Sequence, residues 1–106
     1  MIDLSAILKR TLDIKLPSGN IISCEIPKEQ DYIKIINLEN EVRKKLTNPD
    51  STIDEVASLK DKELRIIFMG STEEAINELL TLNTRIKSYV TDEFIKFIAN
   101  IDQDPN

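Results

Sequence analysis

Histidine is absent from the 106 residues. That removes the commonest general base, the commonest metal ligand and every histidine-dependent catalytic triad. There is one cysteine, Cys24, so no intramolecular disulfide can form and a zinc site would lack thiolates. Glycine occurs only at Gly19 and Gly70, too sparse for a phosphate-cradling loop. No apolar run reaches the length of a membrane span, and the start, Met1-Ile2-Asp3-Leu4, is not a basic leader. A membrane partner is therefore not expected, and a cytoplasmic location is. Basic residues are outnumbered, 14 against 19 acidic, for a net charge of -5. Nucleic-acid phosphates would be repelled on average, so nucleic acid is not an expected partner either. The densest basic cluster, Arg43-Lys44-Lys45, falls where a helix would end and complements its dipole there.

What is present is an ordinary apolar supply, 41% of residues, arranged mainly with helical spacing. The exception lies near the start. Leu12 to Ile26 alternates around Pro17-Ser18-Gly19, the chemistry of a tight turn. A two-residue loop at Ser18-Gly19 would set Leu12, Ile14 and Leu16 opposite Glu25, Ser23 and Ile21. A three-residue loop with Gly19 as a bulge sets Leu16 opposite Asn20, Ile14 opposite Ile22 and Leu12 opposite Cys24. A one-residue slip flips every side chain, so the apolar pattern selects the bulged register. Leu12, Ile14, Ile22, Cys24 and Ile26 are then expected to face a core, with Asp13, Lys15, Ser23 and Glu25 in water.

Pro27 ends the second strand, and a helix fits from about Glu29 to Leu46. Its apolar stripe is Tyr32, Ile35, Ile36, Leu38, Val42 and Leu46. Thr47-Asn48-Pro49-Asp50 breaks it. Thr52 with Glu55 forms a capping box for the next helix, whose stripe is Ile53, Val56, Ala57, Leu64, Ile67 and Phe68. Its middle, Ser58 to Glu63, is polar and is expected to fray or break. Gly70 is expected to cap its end. Ser71 with Glu74 forms a second capping box, for a short helix through Leu79 or Leu80. From Leu82 to Asn100 the apolar residues keep an unbroken spacing of three and four, which favours one long helix over two. The expected fold is mainly α (α+β): a single domain, residues 1–106, with an N-terminal β-hairpin (11–26), about four helices (28–101) and a short polar tail (102–106).

The residues with chemical potential are better explained as structure. Glu73-Glu74 and Asp92-Glu93 are paired carboxylates, but each pair falls where a helix's first turn uses negative charge. Asp50, Asp54 and Glu55 lack the spacing and central glycine of a calcium loop. Cys24 is turned inward by the strand pattern, with no histidine to activate it. Phe68, Tyr89, Phe94 and Phe97 sit at core spacing. The reading is of a protein that binds or assembles, with no catalytic, cofactor-binding or metal residues, and with partner-binding residues that the sequence does not single out.

Three stretches read in order carry a resemblance. "MIDLSAILKRTLDIKLPSG" is a short leader and a hairpin with a Pro-x-Gly turn. "IPKEQDYIKIINLENEVRKK" is a Pro-led helix with a Leu-Glu centre and a charged end. "STEEAINELLTLNTRIKSYVTDEFIKFIANI" is a capped short helix and a long one ending in Tyr-x4-Phe-x2-Phe-Ile. Together, from Leu4 to Ile101, they resemble the small tail assembly chaperones of long-tailed, siphovirus-like bacteriophages and prophages of Gram-positive bacteria. The departure is at Tyr89 and Phe94, which stand further apart than the family's usual spacing. The resemblance implies a protein that binds the tape-measure protein, keeps it soluble until the tail tube polymerises, forms a homo-oligomer, works in the host bacterial cytoplasm and is left out of the virion. Two other classes stay open: a structural head–tail or tail-completion component, and a small acidic protein-binding regulator. The hairpin has two roles open to it. It caps the helical core, or its free edges join protomers.

Overall fold

A computed structural model describes residues 1–101. A short helix, α1 (Leu4–Leu8), precedes an antiparallel hairpin of β1 (Thr11–Lys15) and β2 (Ile21–Glu25). Four helices follow: α2 (Glu29–Thr47), α3 (Ile53–Ile67), α4 (Glu73–Leu80) and α5 (Thr84–Ala99). The mainly helical fold with one N-terminal hairpin is as the sequence leads one to expect. The polar tail, 102–106, lies outside the described residues. The additional element is α1, capped where the Asp3 carboxylate accepts from the Ser5 amide at 3.0 Å.

The hairpin adopts the bulged register. Leu12 stands opposite Cys24 and Ile14 opposite Ile22. The Gly19 amide donates to the Leu16 carbonyl at 2.9 Å and the Leu16 amide to the Asn20 carbonyl at 2.7 Å, closing a three-residue loop. Gly19 has φ of 100°, a left-handed conformation that a side chain would oppose.

One core joins the elements. Ile22 and Leu16 from the hairpin meet Ile35 of α2, Leu64 and Phe68 at the end of α3, Leu79 of α4 and Phe94 of α5. Fully burying a side chain such as Phe68 or Phe94 contributes roughly 1.5–3 kcal/mol. The helix α2 packs along α3, which in turn packs on α5. The stripes fade at the far end of the α2–α3 pair, where Leu46 and Ile53 are 64% and 65% exposed.

Four local expectations are corrected. α3 runs unbroken through Ser58 to Glu63, because Lys60 and Glu63 are buried there, Lys60 pairing with both Glu63 and Glu39 of α2. The N-cap of α4 is Thr72, whose hydroxyl accepts from the Ala75 amide at 3.2 Å; Ser71 is occupied by the hairpin. Gly70 does not take a left-handed conformation, and α3 is closed at Phe68. Leu82 precedes α5, which starts after Asn83, where the side chain accepts from the Ile86 amide at 2.9 Å.

Candidate functional site: an open strand edge and an apolar groove

The register of the hairpin fixes where its backbone groups point. In an antiparallel pair, residues alternate between those that bond across the pair and those whose N–H and C=O face outward. Leu16 bonds Asn20, so Ile14 and Leu12 also bond inward, and Thr11, Asp13 and Lys15 present their backbone groups to the outer side of β1. On β2 the outward residues are Ile21, Ser23 and Glu25, with Ser23 in the middle.

The two edges are treated differently. The Ser71 hydroxyl, in the connection between α3 and α4, accepts from the Ser23 amide at 3.0 Å and donates to its carbonyl at 3.1 Å. That side chain occupies the middle of the β2 edge. Glu78 of α4 holds the turn: its carboxylate accepts from the Ser18 amide at 3.0 Å, the Ser18 hydroxyl and the Asn20 side chain at 3.0 Å. The hydrogen bonds from Ser18 in particular hold the Glu78 carboxyl below the ordinary carboxylate range. Both anchors lie on the β2 side and at the turn. The β1 edge is left uncovered, and among the described residues its outward backbone groups have no partner. Of the two edges offered by the sequence, one is free among the described residues.

Beside that edge runs a groove of about 710 Å³ between β1 and α5. Its walls are the half-buried Leu12 and Ile14 on one side and Leu82, Ile86 and Tyr89 on the other. Ile86 and Tyr89 are exposed. Tyr89 therefore belongs to a surface groove, whereas Phe68 and Phe94 are fully in the core. Lys15 stands at the edge with no ion pair among the described residues, and Asp13 accepts from the hydroxyls of Ser23 and Thr11.

The remaining candidates fall into structural roles. Glu73 and Glu74 lie in the first turn of α4, with Glu73 3.2 Å from Arg65. Asp92 and Glu93 are in the middle of α5, not at a helix start, because that helix is continuous; Glu93 pairs with Lys96 at 3.6 Å. Glu55 pairs with Lys45 at 3.4 Å, while the Thr52 hydroxyl caps α3 by accepting from the Glu55 amide at 3.3 Å. Burial pushes the Cys24 thiol up to about 11, which keeps it protonated and unreactive. No group of three or more His, Cys, Asp or Glu could hold a metal ion among the described residues. Nor is any described helix long and apolar enough to cross a membrane.

One cluster escapes sequence reasoning. Lys60 is buried with its Nζ 3.0 Å from Glu39 Oε2 and 3.3 Å from Glu63 Oε1. Two carboxylates share one ammonium, and Glu63 Oε2 is buried without a partner. Burial, followed by the neighbouring Glu39, raises the Glu63 carboxyl to about 8, so it holds a proton at neutral pH. For Glu39 burial again pushes upward, but Glu63, Lys60 and Arg43 together outweigh it and hold that carboxyl low. Val42 and Val56 are buried outside the main core cluster, and the Lys60–Glu39 bond pins α2 to α3. The signal was in the spacing: Glu39 falls between Ile35 and Val42 on the buried stripe, and Lys60 and Glu63 fall between Val56 and Ile67. Comparison with protein-family models, with curated proteins and with solved structures finds no match to this chain.

Proposed function

We propose that this protein is a tail assembly chaperone of a long-tailed bacteriophage or prophage. It binds the apolar, helical tape-measure protein in the host bacterial cytoplasm, keeps it soluble until the tail tube forms, and is left out of the virion. The element order from Leu4 to Ile101 suggests the role. The observation that supports it is the set of large apolar side chains standing in water on helices: Leu4 and Leu8 of α1, Ile33 and Leu46 of α2, and Ile53 of α3. They are spread along the 52 Å length of the molecule, which suits a long client touched at several points better than one small ligand. An amphipathic client helix meets such a surface through residues three and four apart. The net charge of -5 keeps the complex dispersed.

Co-expression with the tape-measure protein of the same phage genome tests this. The client should remain soluble and co-purify with this chain, and should precipitate without it. A client equally soluble alone refutes the proposal. Stoichiometric recovery of this chain from mature virions would instead make it a head–tail or tail-completion component.

A further inference from the structure

The geometry points to the β1 edge as a self-docking surface: a second copy of this chain adds its own β1 antiparallel to the first, about a two-fold axis, to make a continuous four-stranded sheet. This does not rest on the chaperone reading.

The outward backbone groups limit the choice. Thr11, Asp13 and Lys15 carry them, so only registers that place odd-numbered residues opposite odd-numbered ones can form the ladder. Centring the pair on Asp13 sets Asp13 against Asp13, like charges directly opposite. Centring it on Leu12 leaves Lys15 without a strand partner, because Lys9 opposite it is the αR C-cap of α1, and centring it on Lys15 opposes two lysines. Centring it on Ile14 sets Asp13 of each copy against Lys15 of the other, twice over. On the other face it sets Ile14 beside Ile14 and Leu12 beside Leu16. Charge complementarity and apolar matching select the same register. The only ladder group it forfeits is at Pro17, opposite Thr11, where the amide hydrogen is missing.

The groove supplies the floor for that sheet. The Ile14 and Leu12 side chains of the second copy extend the apolar face of the hairpin past β1, over Ile86 and Tyr89 of α5. Those two side chains are otherwise 45% and 62% exposed. Lys15, which has no ion pair among the described residues, gains one in the pair. The same growth cannot occur at β2, because Ser71 already occupies the Ser23 amide and carbonyl. One free edge closes a dimer; two would build a filament.

Sedimentation over a concentration series tests the proposal, with circular dichroism confirming that each variant is folded. The wild-type chain should sediment at twice its 12.1 kDa mass. Lys15→Asp, which opposes two carboxylates on each side of the axis, should lose the dimer. The double variant Asp13→Lys, Lys15→Asp should restore it. In a Cys24→Ala background, Ile14→Cys should cross-link two chains on oxidation and Asp13→Cys should not. A wild-type chain that stays at single mass throughout, a Lys15→Asp variant that dimerises like wild type, or preferential cross-linking through Asp13→Cys overturns the proposal.

Discussion

Replacing Glu63 by Gln should flatten the dependence of stability on pH. In the folded chain Glu63 is raised to about 8 from an ordinary 4.5, chiefly by burial. Between those values the folded protein holds a proton that the unfolded chain has released. Its contribution is therefore fully present below about pH 4.5 and is lost as pH rises toward 8. One proton fully linked corresponds to about 1.4 kcal/mol per pH unit. From about pH 5.5 to about pH 8 the ceiling is then roughly 3 kcal/mol. Glu39 and Glu63 share Lys60, and buried charges relax, so about 2 kcal/mol is the expected loss. Glu39, whose carboxyl is lowered, acts in the opposite sense: its contribution is lost as pH falls below the ordinary carboxylate range, outside this window. The absence of histidine makes the measurement clean, since no other side chain normally titrates there. Urea denaturation followed by circular dichroism at several pH values is the assay. Wild-type stability should decline across the window, while Glu63→Gln, neutral at every pH and nearly the same shape, should hold level and be the more stable protein at its alkaline end. A wild-type curve that is level or rising, or a variant as steep as wild type, refutes the assignment of the shared proton to Glu63.

Three further outcomes are expected. Ile22→Ala should destabilise the chain by about 2–5 kcal/mol, while the same change at the adjacent Ile21 should cost less than roughly 0.5 kcal/mol, because the first residue is fully buried and the second is 60% exposed; equal denaturation midpoints would contradict the register. Ser71→Ala removes both bonds to Ser23 and should cost about 1–2 kcal/mol, with faster amide exchange at Ser23 as its local signature; unchanged exchange there would mean that the edge is covered by something else. Cys24 should resist thiol reagents at neutral pH in the native protein and react fully once unfolded, since its thiol is buried and raised to about 11; rapid labelling of the native chain would show that the strand opens.

The sequence alone determined what short-range chemistry controls. The Pro17-Ser18-Gly19 turn and the flanking apolar alternation admit one register, because sliding it would bury charges and expose isoleucines. Thr52 caps α3 with a side chain that reaches the amide three residues away. The missing histidine excludes its acid–base and ligand chemistry however the chain folds. Tertiary structure decided the rest. Periodicity marks a face without saying how far along it burial extends, so Leu46 and Ile53 lie on their stripes yet stand in water, while Glu39, Lys60 and Glu63 are inside. A charge enters a core only where an opposite charge arrives from another helix, and Lys60 meets Glu39 across 21 residues of chain. The two edges of the hairpin are alike in sequence terms. What closes one of them is Ser71, 48 residues beyond Ser23, brought there by the way α3 and α4 pack. Among the described residues nothing comparable folds back to the β1 edge, and no local pattern records that difference.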